Sequence, residues 1–144
     1  MDFKYKIRTR YSETGQDGII HHSSFVIYLE VARVEFFKEL GCDINKLEKN
    51  KMFCPVIDLS MKYLKPLYSL EDIVVQVSLG DYSKVRFSLS YQIYREKACV
   101  ATGTASHCFL NDSFKPIPIP RAVLDQFREL SPDPLQPDGA IISF

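Results

Sequence analysis

The chain has 144 residues, and 18 Lys plus Arg balance 18 Asp plus Glu. That length suits one domain, and a net charge of zero gives no electrostatic reason to bind nucleic acid. Hydrophobic residues at 46 % and charged residues at 25 % exclude a disordered chain, and no apolar run reaches the roughly 18–20 residues of a membrane span. The four cysteines (Cys42, Cys54, Cys99, Cys108) show no C-x-x-C spacing. No metal site is expected from them, only reduced thiols in a cytoplasmic protein.

The first residues, MDFKYKIRTR, alternate and read as a strand rather than a signal peptide. Phe3, Tyr5, Ile7 and Thr9 share one side, and Lys4, Lys6, Arg8 and Arg10 the other. Ser12 to Gly18 is polar and reads as a loop. Ser23 or Ser24 is the expected N-cap of a long helix that ends at Gly41. Phe25, Leu29, Ala32, Phe36 and Leu40 make one apolar stripe of that helix, and Val26, Ile27, Val34 and Phe37 a second. An arc that wide predicts a mostly enclosed helix. Glu30 and Arg33 fall in or beside it and can pair at i, i+3 spacing. A short helix over 43–51, capped by Asp43, should follow.

The second half reads as sheet, with strands over 53–63, 72–79, 84–95 and 97–110, and turns over 64–69 and 80–83. The last strand is rich in small residues (Ala98, Ala101, Gly103, Ala105, Ser106), which let a helix approach closely. The run from Lys115 to Pro120 is extended, and Pro120 should open a short helix over 121–130 as its N1 residue. Residues 1–130 are the expected domain, and 131–144 a proline-containing tail. One helix followed by a run of strands indicates an α+β fold with a curved antiparallel sheet of five strands around the helix. One helix cannot cover such a sheet, so a second subunit is expected.

The segment from Tyr11 to Phe25 is the densest in chemistry, with two carboxylates, two histidines and a helix start. A helix N-terminus can polarise a carbonyl, and an adjacent acid or histidine can activate water. The plainer alternative has Glu13 and Asp17 as turn and capping residues and His21 and His22 as loop histidines. Tyr11 reads equally as a packing residue, and Glu30 as the structural partner of Arg33. His107 reads as a packed or hydrogen-bonded strand residue.

Tyr11-Ser-Glu-Thr, then Gly18-Ile-Ile-x-His22-x-Ser-Phe, then Tyr28-x-Glu30-x-Ala-Arg33-x-Glu35 resembles the 4-hydroxybenzoyl-CoA thioesterase-like family of hotdog-fold acyl-CoA thioesterases. Pro55-Val56, Tyr63-Leu-Lys-Pro66 and Gly103 to Phe109 agree with it, and the resemblance covers roughly residues 3–112. It implies a hotdog fold, a homodimer or homotetramer, no cofactor, and an acyl-CoA or acyl-carrier-protein thioester as substrate. The family's acid directly follows the threonine, where this chain has Gly15. Asp17 is the available acid two residues on, and the family's histidine and helix glutamate match His22 and Glu30.

The substrate would then lie against Tyr11, Gly18, Ile19 and the helix start at Ser23, with Lys65 and Lys84 contacting CoA phosphates beside Lys62 and Arg86. Three outcomes follow from Gly15. Asp17 swings into the site, hydrolysis proceeds without it through His22 or Glu30, or the protein binds an acyl thioester with little turnover. Hydration or dehydration of an acyl thioester, and a purely structural interaction domain, are the remaining alternatives.

Overall fold

The computed structural model describes residues 2–132. The tail expected over 131–144 therefore lies, from residue 133 on, outside the described residues. The elements are β1 (Phe3–Arg8), a 3-10 turn (Tyr11–Glu13), α1 (His22–Glu39), α2 (Ile44–Lys49), β2 (Val56–Tyr63), β3 (Asp72–Tyr82), β4 (Arg86–Arg95), β5 (Ala98–Leu110), β6 (Pro116–Ile117) and α3 (Arg121–Leu130). The sheet runs β1-β3-β4-β5-β2, every pairing antiparallel, and β6 adds to β5. This is the expected hotdog arrangement, with six strands rather than five. The sixth arises because the Pro116–Ile117 stretch folds back onto Leu110 and Phe109.

Alternation drives the strands. In β1 the even residues are exposed while Phe3, Tyr5 and Ile7 turn inward. Ile73, Val75, Val77, Phe87, Leu89, Tyr91 and Ile93 line the same interior. β3 runs through Gly80 and Asp81 to Tyr82 where a turn is expected, and a register shift after Leu79 absorbs the change of pattern. A bulge lets the pairing with β4 continue although the period-2 pattern breaks.

α1 begins at His22, one residue before the expected start. His21 is its N-cap, not Ser23 or Ser24, because the His21 Nδ1 accepts the Ser23 N–H. Gly41 at φ +77° closes the helix, a conformation glycine adopts without Cβ strain. α2 follows with Asp43 as cap, accepting the Asn45 N–H. Pro120 is the N-cap of α3 rather than its first helical residue.

Phe25, Tyr28, Leu29, Ala32, Phe36 and Phe37 of α1 are buried. The helix lies close to β5: a Cβ on Gly103 would meet Leu29 Cδ1 at 3.1 Å and Met61 Sδ at 2.7 Å. The second apolar stripe is enclosed only in part: Phe37 is buried and Val26 and Val34 are half-buried, but Ile27 is exposed within one chain, as is neighbouring Val31. α3 covers the far end, with Phe127 packed on Phe37, Tyr82 and Phe87. Among the described residues no helix is long and apolar enough to cross a membrane.

Two buried polar side chains tie the lead-in to β2. Arg33 donates to Glu30 Oε2 at 2.8 Å and to the Cys54 carbonyl at 3.5 Å. The His107 Nδ1 lies 3.1 Å from the Pro55 carbonyl, which only accepts, so Nδ1 carries the proton. The His107 ring also stacks on Phe87.

Burial, with the Arg33 charge second, lowers the His107 imidazole to about 4. In the unfolded chain it returns to about 6.5. Its contribution to stability is therefore complete above pH 6.5 and is lost as the pH falls through 4. Unfolding by urea should show the stability advantage of wild type over His107→Gln shrinking by about 2 kcal/mol between pH 7 and pH 5. A constant difference would show that His107 does not titrate in that window.

Candidate active site

The loop before α1 is a small hairpin. Thr14 bridges Ile20, Gly15 N–H donates to the Ile19 carbonyl at 2.8 Å, and Gly18 N–H closes the turn onto the Gly15 carbonyl at 3.2 Å. Gly18 takes φ +79°, which a tight turn of this hand requires. Asp17 sits at the exposed tip, and its Oδ1 accepts the Ile19 N–H at 3.2 Å. A Cβ on Gly15 would lie 3.6 Å from that same Oδ1. A side chain at position 15 would thus begin in ordinary van der Waals contact with the Asp17 carboxylate.

The hairpin leads to a cleft of about 260 Å³ lined by Ile19, Ile20, His22, Phe25, Tyr63, Leu64, Lys65 and Pro66. Its floor joins three elements: the returning leg of the hairpin, the first turn of α1 and the end of β2. Ile20 N–H donates to the Leu67 carbonyl at 2.8 Å, which fixes the hairpin beside the Tyr63–Pro66 segment. Tyr63 donates its hydroxyl to the His22 carbonyl at 3.3 Å and meets the Phe25 ring edge-on at 5.1 Å. The His21 and His22 rings lie 4.2 Å apart.

Backbone donors at this end are almost all engaged. Gly18, Ile19, Ile20 and His21 give their N–H groups to Gly15 O, Asp17 Oδ1, Leu67 O and Glu13 O. Ser23 N–H goes to His21 Nδ1 and Ser24 N–H to His21 O. Among the described residues, the His22 N–H alone in this run makes no hydrogen bond. The helix end therefore presents one open donor, on the residue whose side chain lines the cleft.

The expected site residues divide. Ile19, His22 and Lys65 line the cleft, and Asp17 and Gly18 lie in the adjoining hairpin. Ser23 is exposed, but its amide is used by the cap. Tyr11 is 77 % exposed in the 3-10 turn and does not line the cleft. Glu30 lies eight residues beyond His22, about 12 Å along the helix axis, and bonds Arg33.

Burial, the largest single effect, lowers the Arg33 guanidinium, but that bond and the Glu30 charge, with smaller contributions from Cys54 and Tyr91, together raise it above its ordinary value. Lys84 belongs to the other end of the sheet: Ala101 of β5 pairs with Tyr63 beside the cleft, whereas Cys108 pairs with Arg86. Sequence reasoning missed Tyr63, Phe25 and Ile20 as lining residues. The Tyr63-Leu-Lys-Pro66 motif was the available signal, but nothing in it indicated which of its side chains turns towards α1. Among the described residues no cluster of His, Cys, Asp and Glu could hold a metal ion.

His21 offers a direct check on the helix end. His21→Ala should lower stability by about 1 kcal/mol in thermal or urea unfolding, and His21→Ser should retain most of it. An alanine variant as stable as wild type would mean that the cap contributes nothing.

Residues 12–127 match the Thioesterase-like superfamily. The chain is 36 % identical to YneP of Bacillus subtilis (strain 168), a protein named as an acyl-CoA thioesterase, over 90 % of each chain. It is 30 % identical to a protein of Aquifex aeolicus (strain VF5) named as an esterase, over 90 % of this chain and 100 % of the other. The DHNA-CoA thioesterase of Staphylococcus aureus superposes with a TM-score of 0.87 at 28 % identity, covering 91 % of each chain.

Proposed function

Because the chain belongs to the Thioesterase-like superfamily, we propose that it is a thioester hydrolase, cleaving an acyl-CoA or acyl-carrier-protein thioester to a free acid and a thiol. Within that superfamily, the Tyr11–Thr14, Gly18–Phe25 and Tyr28–Glu35 motifs favour the 4-hydroxybenzoyl-CoA thioesterase-like branch. One observation carries the chemical part of this reading: the His22 N–H is the open donor at the start of α1, and His22 lines a cleft beside an acid-bearing hairpin.

The thioester carbonyl oxygen would accept the His22 N–H, where the helix dipole adds positive potential. Asp17 takes the proton of a water that attacks the carbonyl carbon. The C–S bond then breaks, and the departing thiolate takes the proton held by Asp17, which gives the free thiol and restores the carboxylate. Reaching that water requires Asp17 to release the Ile19 N–H. The two glycines of the hairpin permit the movement. The His22 imidazole orients the water or the carbonyl. Lys65, at the cleft wall, is the cation placed to meet a phosphate of the carrier. Lys84 is left out of this reading, because within one chain it lies at the opposite end of the strands. Residues 1–130 would act as the single domain that carries this site.

A cleft of about 260 Å³ is smaller than the roughly 300–1,000 Å³ of typical ligand sites. A second copy of the chain would complete it. β2 is one of the two edge strands of the sheet, and Val56, Leu59 and Tyr63 on it are exposed, as are Ile27 and Val31 on α1. Antiparallel self-pairing must set helix-side residues opposite helix-side residues. Centred on Ser60, it places Asp58 opposite Lys62 of the partner subunit, twice. Mild oxidation of Ser60→Cys should give a disulfide-linked dimer well above the wild-type background, and Leu59→Cys should not. The reverse result would move the axis to Leu59.

A second reading, an acyl-thioester-binding protein with little turnover, is favoured by Gly15 and by the bond that holds Asp17 in its turn. Thiol release from a panel of acyl-CoAs separates the two. Turnover should fall at least about tenfold in Asp17→Asn and rise in Gly15→Asp. Absence of turnover across short, long and aromatic acyl groups, with CoA still raising the melting temperature, would favour the binding protein.

A further inference from the structure

The hairpin carrying Gly15 and Asp17 cannot orient itself. It contains two glycines and a single bridge, and only its returning leg is tied to the body of the protein, at Leu67 and Tyr68. The outgoing leg hangs from Glu13. The sequence marks Glu13 as a turn residue, and the turn is real: its Oε1 accepts the Arg10 N–H at 2.8 Å. The same oxygen also accepts the Tyr28 hydroxyl at 2.6 Å, from the second turn of α1.

This pair is buried. The Glu13 side chain is 10 % exposed and Tyr28 is 2 % exposed. Burial, followed by the bond to Glu13, pushes the Tyr28 hydroxyl above its ordinary range, so it remains a donor. An apolar pair of similar size would fill the space without desolvating a carboxylate. What an apolar pair would lack is direction.

Glu13 meets α1 at two points. Its carbonyl accepts the His21 N–H at 2.8 Å, joining the base of the hairpin to the N-cap. Its carboxylate reaches Tyr28, seven residues beyond His21, or about 10 Å along the helix axis. One attachment would leave the outgoing leg free to hinge about the N-cap, whereas two set its angle to the helix.

We propose that Glu13 and Tyr28 are positioning residues of the thioester site, their hydrogen bond setting the angle at which the Gly15–Asp17 turn meets the open N–H of His22. This rests on the reading of that turn and that donor as the reacting centre. Neither residue touches the substrate, so their loss changes the rate and not the binding.

The test compares Tyr28→Phe, Glu13→Leu and Glu13→Gln in the full chain, using the best acyl-CoA found for wild type. Tyr28→Phe and Glu13→Leu should lower kcat about tenfold or more with KM within about twofold. Glu13→Gln keeps an acceptor for the Tyr28 hydroxyl and should restore most of the rate. A kcat unchanged in Tyr28→Phe overturns the proposal, as does a loss in Glu13→Gln equal to that in Glu13→Leu.

Amide hydrogen exchange probes the tether independently of turnover. Protection at residues 14–21 should fall in Tyr28→Phe while that of β3 and β4 holds. If wild type hydrolyses nothing but this local loss is seen, the thioesterase reading fails and the tether stands as a support of the hairpin alone. If protection is unchanged, the tether is overturned whatever the activity.

Discussion

The arrangement depends on how closely α1 lies against β5. Gly103, with Ala101 and Ala105 on the same face of the strand, removes the side-chain layer that would otherwise hold a helix away from the sheet. Leu29 fills the space, and Ala32 is fully buried. Close approach brings the two surfaces into dispersion contact. It also sets the height of α1 over the sheet, and with it the position of the N-terminal end relative to the last residues of β2. The cleft exists because Tyr63 at the end of β2 and Phe25 in the first turn of α1 reach the same level.

The depth at which α1 sits leaves polar groups in the interior. Arg33 and His107 are carried inward by the helix and by β5, and each reaches a carbonyl of the Cys54–Pro55 lead-in. Those bonds compensate in part, since Arg33 Nε and His107 Nε2 have no partner among the described residues. The neighbouring Cys54 thiol is pushed up to about 12 by burial, which leaves it an unreactive thiol. The cluster fixes where β2 begins, and β2 is both an edge strand of the sheet and one wall of the cleft. Fixing one strand thus serves the site and the edge together.

Electrostatics at the site follow from which hydrogen bonds are already made. The partial positive charge of a helix N-terminus belongs to its unpaired amides. Here the His21 cap uses two of them, and the approach to the helix spends its own amides on the hairpin and on Leu67. A diffuse anion site is reduced to one donor of defined direction. Asp17, the acid proposed to act there, is not on a rigid element but on a glycine-containing turn, so in that proposal its direction depends on supports outside the cleft.

Much of this was legible in the order of residues. Alternation marked the strands, the 3.6-residue stripe marked α1, Gly41 and Asp43 marked a stop and a start, and the small residues of β5 marked where the helix sits. These signals are local, and each reports a backbone preference or one face of one element. The segment from Tyr11 to Phe25 marked the candidate site, and Lys65 was expected near it, although Tyr63 as a lining residue was not. What the tertiary structure decided was non-local. His21 displaced two serines as the cap because its ring could fold back onto the Ser23 amide. Lys84 and Lys65, both expected to contact phosphate, were sent to opposite ends of the sheet by the antiparallel register. Glu13 found Tyr28 only after the chain had reversed through the hairpin. Partners of this kind are chosen by distance in space, and no periodicity along the chain encodes it.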